Sequence, residues 1–474
     1  MKHRAPTPSD RERRGKLLFK RAQAESALHA AAIAGSEPPD QSAATGRYLF
    51  LQGPNGTFFA RLANRLKSRG HAVYRVNFNG GDRVFWRLSG ALDFRGSAEQ
   101  WPAFLGDLLT DCGITDIILF GDCRPLHRAA ITLAHRLGQR VHVFEEGYLR
   151  PNWITLEANG VNGHSSLAKN ARWFLEAAAG IEDWSPGLPV TGHFARRAAE
   201  DVLYTLSTIF LKWRFPLFRT HKPWHPLAEY AAGAKRFPLT PLTRRRNLAR
   251  QQQVLKSGSQ YYLFPLQLDA DAQVRFHSPF GRMAPAIKTV IESFARAAPV
   301  DALLVLTEHP LDTGLVPLER LSRDYADRAG VGSRVIYLRF GTSEPLLTGC
   351  RGMVTINSTM GVLALSVRVP VMTMGHAIYD MPELTFQGGL DNFWCNSTAS
   401  SGAVFDAFRR VLTARTQING GFYSEKGLTL AVAGAVTRLE AALNNPAIAA
   451  PSDADSPANM SWVVGTRLEE KIHA

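Results

Sequence analysis

The chain has 474 residues, 45% of them hydrophobic, with a formal net charge of +14 and a pI near 9.8. That length suits two domains, and the apolar fraction is ordinary for a soluble globular protein. The four cysteines (Cys112, Cys123, Cys350, Cys395) are scattered with no CxxC or Cys/His spacing, which argues against a disulfide framework or a structural zinc and fits a reducing compartment. The basic balance points to a polyanionic partner, and no nucleic-acid module is recognisable, so anionic lipid or a phosphorylated substrate is the expected one.

Residues 1–45 read as a flexible basic arm, without the apolar run of a signal peptide. No stretch reaches the roughly 18 apolar residues of a membrane span, so the expected location is cytoplasmic. Order begins at Tyr48, where "YLFLQ" is a strand and "GPNG" a turn. "TFFARLANRLKSRG" then places Phe58, Phe59, Leu62 and Leu66 on one helical face ahead of Gly70. "HAVYRVNF" completes a βαβ unit and implies a parallel sheet. The pattern recurs in "TDIILFGD", a helix from Pro125, and "RVHVF", which delivers Glu145 and Glu146. Together these predict a Rossmann-like domain over 46–175.

Residues 176–257 change character. Between 201 and 250 stand ten Lys/Arg against Asp201 and Glu229, interleaved with Phe210, Trp213, Phe215, Phe218 and Trp224. This composition suits a helical linker that meets an anionic bilayer surface. The α/β alternation resumes over 258–400 with "YYLFPLQ", "ALLVLTEHP", "RVIYLRF", "GMVTIN" and "PVMTMG" as strands. Helices over 401–445 can cross back onto the first domain, and 446–474 is a tail. Two such domains facing a cleft, with a C-terminal helical crossover, describe the GT-B architecture of α/β proteins.

Four polar groups fall at strand ends or in the turns after them, where open α/β sheets bind ligands. "QGPNG" (52–56) gives Gly53, Asn55 and Gly56, fit for close backbone approach or a simple turn. "EEG" (145–147) pairs two carboxylates, one of them able to act as base or nucleophile with its pKa set by its neighbour. "EHP" gives His309 and Pro310, a candidate phosphate donor and a rigid backbone. "INSTMG" places Asn357, Ser358, Thr359 and Gly361 before an apolar helical run, which reads either as an anion site or as ordinary N-capping.

The stretches "FLQGPNGTFFARLANRLKSRGHAVYRVNFNGGDRVFW", "FEEGYLRPNWITLE", "PLQLDADAQVRFHS", "EHPLDTG", "INSTMGVLALSVRVPVMTMGHAIYDMPELT" and "LDNFW" resemble the KpsS/LipB capsule polysaccharide biosynthesis and export family, in consecutive order over about 48–395. The resemblance implies a retaining β-Kdo transferase. It would move Kdo from CMP-Kdo to a (lyso)phosphatidylglycerol acceptor or a growing poly-Kdo linker, on the cytoplasmic side of the inner membrane. Glu146 is then the catalytic carboxylate, as nucleophile or base, with Glu145 the second choice. His309, Pro310, Asn357, Ser358, Thr359 and Gly361 would hold the donor. Gly53, Asn55, Gly56, Arg150, Gln267, Asp271, Gln273 and His277 would line the cleft, with Arg150 meeting the Kdo carboxylate. Many relatives have a basic residue before His-Pro where this chain has Glu308. A CMP donor has only one phosphate, so neither a metal nor another cofactor is expected. A partner Kdo transferase and the capsule export machinery are further expected partners. The alternatives are a non-catalytic export factor that binds lipid-linked polysaccharide, or a GT-B transferase using another CMP-nonulosonate.

Overall fold

In a computed structural model of the chain, residues 45–444 are described, apart from 221, 341 and 342. The expected tail and all but the last residue of the N-terminal arm lie outside the described residues. Two sheets organise the rest. The first contains β1 (Arg47–Phe50), β2 (Ala72–Asn77), β3 (Ala91–Asp93), β4 (Asp116–Phe120), β5 (Arg140–Glu146), β6 (Trp153–Ala158) and, from far along the chain, β12 (Gln417–Asn419). The second contains β7 (Tyr261–Pro265), β8 (Leu303–Thr307), β9 (Val335–Leu338), β10 (Gly352–Thr355) and β11 (Val371–Thr373).

The first sheet runs β12-β6-β5-β4-β1-β2-β3, parallel except for the antiparallel pairs β5–β6 and β6–β12. The second runs β11-β10-β7-β8-β9 and is parallel throughout. Strand order reverses between β1 and β4 in one sheet and between β7 and β10 in the other. The crevice for a ligand therefore opens at the carboxyl ends of these strands. β1 is followed by the "QGPNG" turn, β4 by Asp122, β7 by Gln267 and β10 by Asn357.

Helix Phe58–Ser68 buries Phe58, Phe59, Leu62, Ala63 and Leu66 on the first sheet, the stripe its apolar spacing predicts. Phe58 packs edge-on to Phe144 of β5 at 5.2 Å and to Phe422 at 5.0 Å between ring centroids. Phe422 precedes helix Glu425–Asn444, whose Leu428, Ala431, Ala435 and Leu439 are buried in the same core. The C-terminal segment thus returns to the first sheet, as the GT-B arrangement requires. Arg438 fastens that return by donating to the carbonyls of Thr413, Ala414 and Gln417. The linker of 176–257 contains helices Phe194–Phe210, Pro226–Arg236 and Thr240–Lys256.

Candidate active site

β5 lies between β4 and β6 with Val141, Val143 and Phe144 buried, so its last residues reach the crevice at a fixed height. Successive strand residues point to opposite faces, which separates Glu145 from Glu146. The chain must then turn sharply. A side chain on Gly147 would place its Cβ 2.0 Å from the carbonyl oxygen of Trp153, so only glycine fits. Glu145 tucks back, accepting from the Glu146 amide at 3.0 Å. Burial, with help from the charges of Glu146 and Asp122, pushes its carboxyl up to about 7, opposed by the Glu146 amide and Arg124. Glu146 takes the open side, where Arg197 Nη2 approaches its carboxylate at 3.4 Å.

Across the crevice, His309 follows β8. Its Nδ1 accepts from the Leu311 amide at 3.1 Å. Burial, then the charges of Arg150 and Arg197, push its pKa down to about 4. The imidazole is therefore neutral at pH 7 and, with Nδ1 accepting, carries its proton on Nε2. Arg150 and Arg197 belong to the first half of the chain and His309 to the second, so these charges join the two walls. Arg150 donates to the Gly147 carbonyl at 3.3 Å and also opposes the burial that raises the Asp271 carboxyl.

The other expected residues divide between the crevice and its frame. Asp271 caps the short helix Ala272–Phe276, accepting from the Gln273 amide at 2.9 Å. Gln267 Nε2 donates to Asn357 Oδ1 at 3.1 Å, and Asn357 Nδ2 donates to the carbonyls of Gln273 at 2.9 Å and His277 at 3.1 Å. These amides knit the turn after β7 to the turn after β10. Ser358 and Thr359 are half-buried at the start of helix Met360–Ser366; the Thr359 hydroxyl makes no capping bond, while Ser358 Oγ accepts from the Met360 amide at 3.2 Å. Gly361 has a packing reason: a Cβ there would lie 2.2 Å from the Tyr379 hydroxyl. Pro310 is exposed.

The "QGPNG" turn departs most from its expected role as ligand-facing backbone. Helix Phe194–Phe210 covers it. Asn55 Nδ2 donates to Asp201 at 2.7 Å, and a Cβ on Gly56 would lie 2.6 Å from Glu200 Oε2. Gly53 is buried against Phe59. Small residues here admit the linker helix. Glu308, the acid before His-Pro, turns to the linker as well, pairing with Arg236 and accepting from the Tyr337 hydroxyl at 2.7 Å.

Several site residues escaped the sequence reading. Arg197 sits in the linker helix, beyond any motif. Its guanidinium also lies 5.0 Å from the ring centre of Tyr423, brought in by the C-terminal crossover. Burial and the charge of Glu146 push the Tyr423 hydroxyl above its usual range. Arg124 is half-buried behind Glu145, its guanidinium 5.7 Å from the Phe120 ring centre, and burial lowers its pKa. Finally, the fold assembles a Cys/His cluster that no linear spacing betrays. The ligand-type atoms of Asp122, Cys123, His164 and His277 all lie within 4.8 Å of one another. Cys123 Sγ is 3.1 Å from His277 Nε2, and His164 Nδ1 is 2.9 Å from Asp122 Oδ2. His277, expected to line the cleft, is thus buried as a latch between the two halves. One thiol, two imidazoles and a carboxylate are also a donor set suited to a zinc-like cation.

Comparison with known proteins adds to this geometry. Residues 115–423 match the family model described as "Capsule polysaccharide biosynthesis protein". The chain is 36% identical over 388 residues to the capsule polysaccharide export protein KpsS of Escherichia coli, covering 80% of this chain and 97% of that one. It is 34% identical over 387 residues to the capsule polysaccharide modification protein LipB of Neisseria meningitidis serogroup B, covering 80% and 91%. Among solved structures it is similar to Thermosulfurimonas dismutans KpsC, a beta Kdo 2,7 transferase, at 13% identity and a TM-score of 0.41, covering 83% of this chain and 99% of that one.

Proposed function

Since the chain belongs to the capsule polysaccharide biosynthesis family, we propose that it is a retaining glycosyltransferase that moves β-Kdo from CMP-Kdo to a (lyso)phosphatidylglycerol or poly-Kdo acceptor at the inner face of the cytoplasmic membrane. The observation that carries this reading is the crevice itself. A carboxylate, Glu146, stands at a strand end on one wall. A neutral imidazole N–H donor, His309, stands on the other, with Arg150 and Arg197 beside it.

In the reaction, Glu146 attacks the anomeric carbon of Kdo as the bond to the CMP phosphate breaks. CMP leaves carrying the bonding electron pair. The acceptor hydroxyl then attacks the glycosyl–enzyme ester from the opposite face, loses its proton to solvent or a nearby base, and frees Glu146. Two inversions give retention. His309 Nε2–H and the hydroxyls of Ser358 and Thr359 serve the departing phosphate, since donors fixed in place stabilise charge that develops in the transition state. Arg150, opposite Asp271 and His309, receives the Kdo carboxylate. A nucleotide monophosphate leaves without needing a metal to bridge two phosphates. Among the described residues no helix is long and apolar enough to cross a membrane, so a lipid acceptor must be met at the surface.

Calorimetric titration with CMP, UDP and GDP tests the donor class. CMP alone should bind. Preference for a diphosphate nucleotide would refute the CMP-sugar reading, and binding of none would favour an export factor without catalysis.

A further inference from the structure

Resting on the lipid acceptor just proposed, we infer that the outward ridge of helix Phe194–Phe210 and the turn after it docks on an anionic phospholipid leaflet, holding the crevice against its substrate. The inner face of this helix is locked to the first domain. The Tyr204 hydroxyl donates to Asp82 at 3.0 Å and accepts from Gln52 at 2.5 Å and Asn79 at 2.8 Å. A Cβ on Gly80 would lie 2.0 Å from the Ser207 carbonyl oxygen, so this helix touches the short helix Gly80–Phe85 backbone to backbone. With that face consumed, the opposite one is fixed in space.

The opposite face is apolar and open. Val202 is 41% exposed, Leu206 38%, Phe210 74%, Trp213 68% and Leu217 52%. The spacing of four lines Val202, Leu206 and Phe210 along one side of the helix, and the turn after it adds Trp213 and Leu217. Isolated exposed hydrophobics are ordinary, but a continuous stripe of large ones marks an interaction surface.

Three observations favour a bilayer as the occupant. From Val202 to Leu217 the chain carries no acid; of its two cations Lys212 is exposed, while Arg214 pairs with Asp93. The helix's own acids are turned away, Asp201 to Asn55 and Tyr230 and Glu200 to Arg196. A ridge of Phe, Trp and Leu beside lysine has the make-up of a helix lying in a headgroup layer, where aromatics enter and cations meet lipid phosphate. The same helix bears Arg197, which pairs with Glu146. A helix lying flat on the leaflet sets that carboxylate about one helix diameter, roughly 10 Å, from the lipid surface.

Vesicle sedimentation tests this with phosphatidylglycerol/phosphatidylcholine and pure phosphatidylcholine vesicles, in parallel with transfer to a water-soluble glycerol phosphate acceptor. The full-length protein should pellet with the anionic vesicles only. The double variant Phe210→Ser/Trp213→Ser should bind them at least tenfold more weakly while keeping wild-type transfer to the soluble acceptor. The triple variant Arg244→Ser/Arg245→Ser/Arg246→Ser, on a different helix, should stay within about threefold of wild type. Wild-type vesicle binding by the double variant overturns the inference. So does a wild-type dimer, seen by sedimentation velocity, that the double variant dissolves, for the ridge would then cover a second copy. Expected vesicle binding with no transfer by any of these proteins would leave the docking surface standing and remove the proposed reaction.

Discussion

Arg197 Nη2 stands 3.4 Å from Glu146 Oε1. The arginine comes from the linker helix and the glutamate from the end of β5, so the pairing forms only when the helix is seated on the first domain. It aims the carboxylate into the crevice. Arg197→Ala should lower kcat by about 10- to 100-fold, as small misplacements of reacting groups do. Arg197→Lys should recover part of that loss. Steady-state kinetics measure both, and an unchanged kcat in the alanine variant would separate this arginine from the chemistry.

Glu145 carries a distinct pH signature. Its carboxyl is raised to about 7, chiefly by burial. Between the unfolded value near 4.5 and that folded value, the native protein holds a proton that the unfolded chain has released. Its contribution therefore favours the fold at low pH and is lost as pH rises through about 7. Glu145→Gln keeps the neutral form at every pH, so it should raise Tm relative to wild type more at pH 8 than at pH 5.5. Equal shifts at both pH values would contradict a buried, proton-holding Glu145.

The neutral state of His309 sets its binding behaviour. His309→Ala should weaken CMP binding by about 1.5–3 kcal/mol, as expected for a hydrogen bond to a charged group. Cytidine binding should hardly change. Because the imidazole titrates at about 4, the CMP-over-cytidine difference owed to this residue should stay flat between pH 6 and 8. Calorimetry decides it: equal losses for the two ligands would make His309 a support of the fold.

Steric need at the turn after Glu146 is tested by Gly147→Ala, whose Cβ would fall 2.0 Å from a backbone oxygen of Trp153. Overpacking of this kind costs about 1–3 kcal/mol. Gly180→Ala, with nothing within 4 Å of the added carbon, is the matched control and should stay within about 0.5 kcal/mol of wild type in chemical denaturation.

The sheets were legible because parallel strands buried on both faces leave continuous apolar runs such as "TDIILFGD" and "YYLFPLQ". β12 was not, because an antiparallel edge strand added from the far end of the chain leaves no local mark. At the site, Glu146 and His309 could be placed from strand ends alone. Arg197, Arg124 and Tyr423 could not, since each reaches the crevice through tertiary packing. The same holds for Asp122, Cys123, His164 and His277, whose separation along the chain hides a cluster. The glycines of "QGPNG" misled for a physical reason: close approach of a packed helix and close approach of a ligand ask the same of a backbone. The latch has its own test. His277→Ala should loosen closure and widen the scattering profile, whereas an unchanged profile would show that other contacts hold the two halves.

The most direct test of the whole account is incubation with CMP-Kdo and a fluorescent phosphatidylglycerol analogue, read by mass spectrometry, for wild type and Glu146→Gln. The account predicts acceptor carrying one or more added Kdo residues with wild type, none with the variant, and CMP affinity nearly equal in the two. Turnover by Glu146→Gln at the wild-type rate, or a wild-type protein that binds CMP and leaves the acceptor mass unchanged, would contradict it.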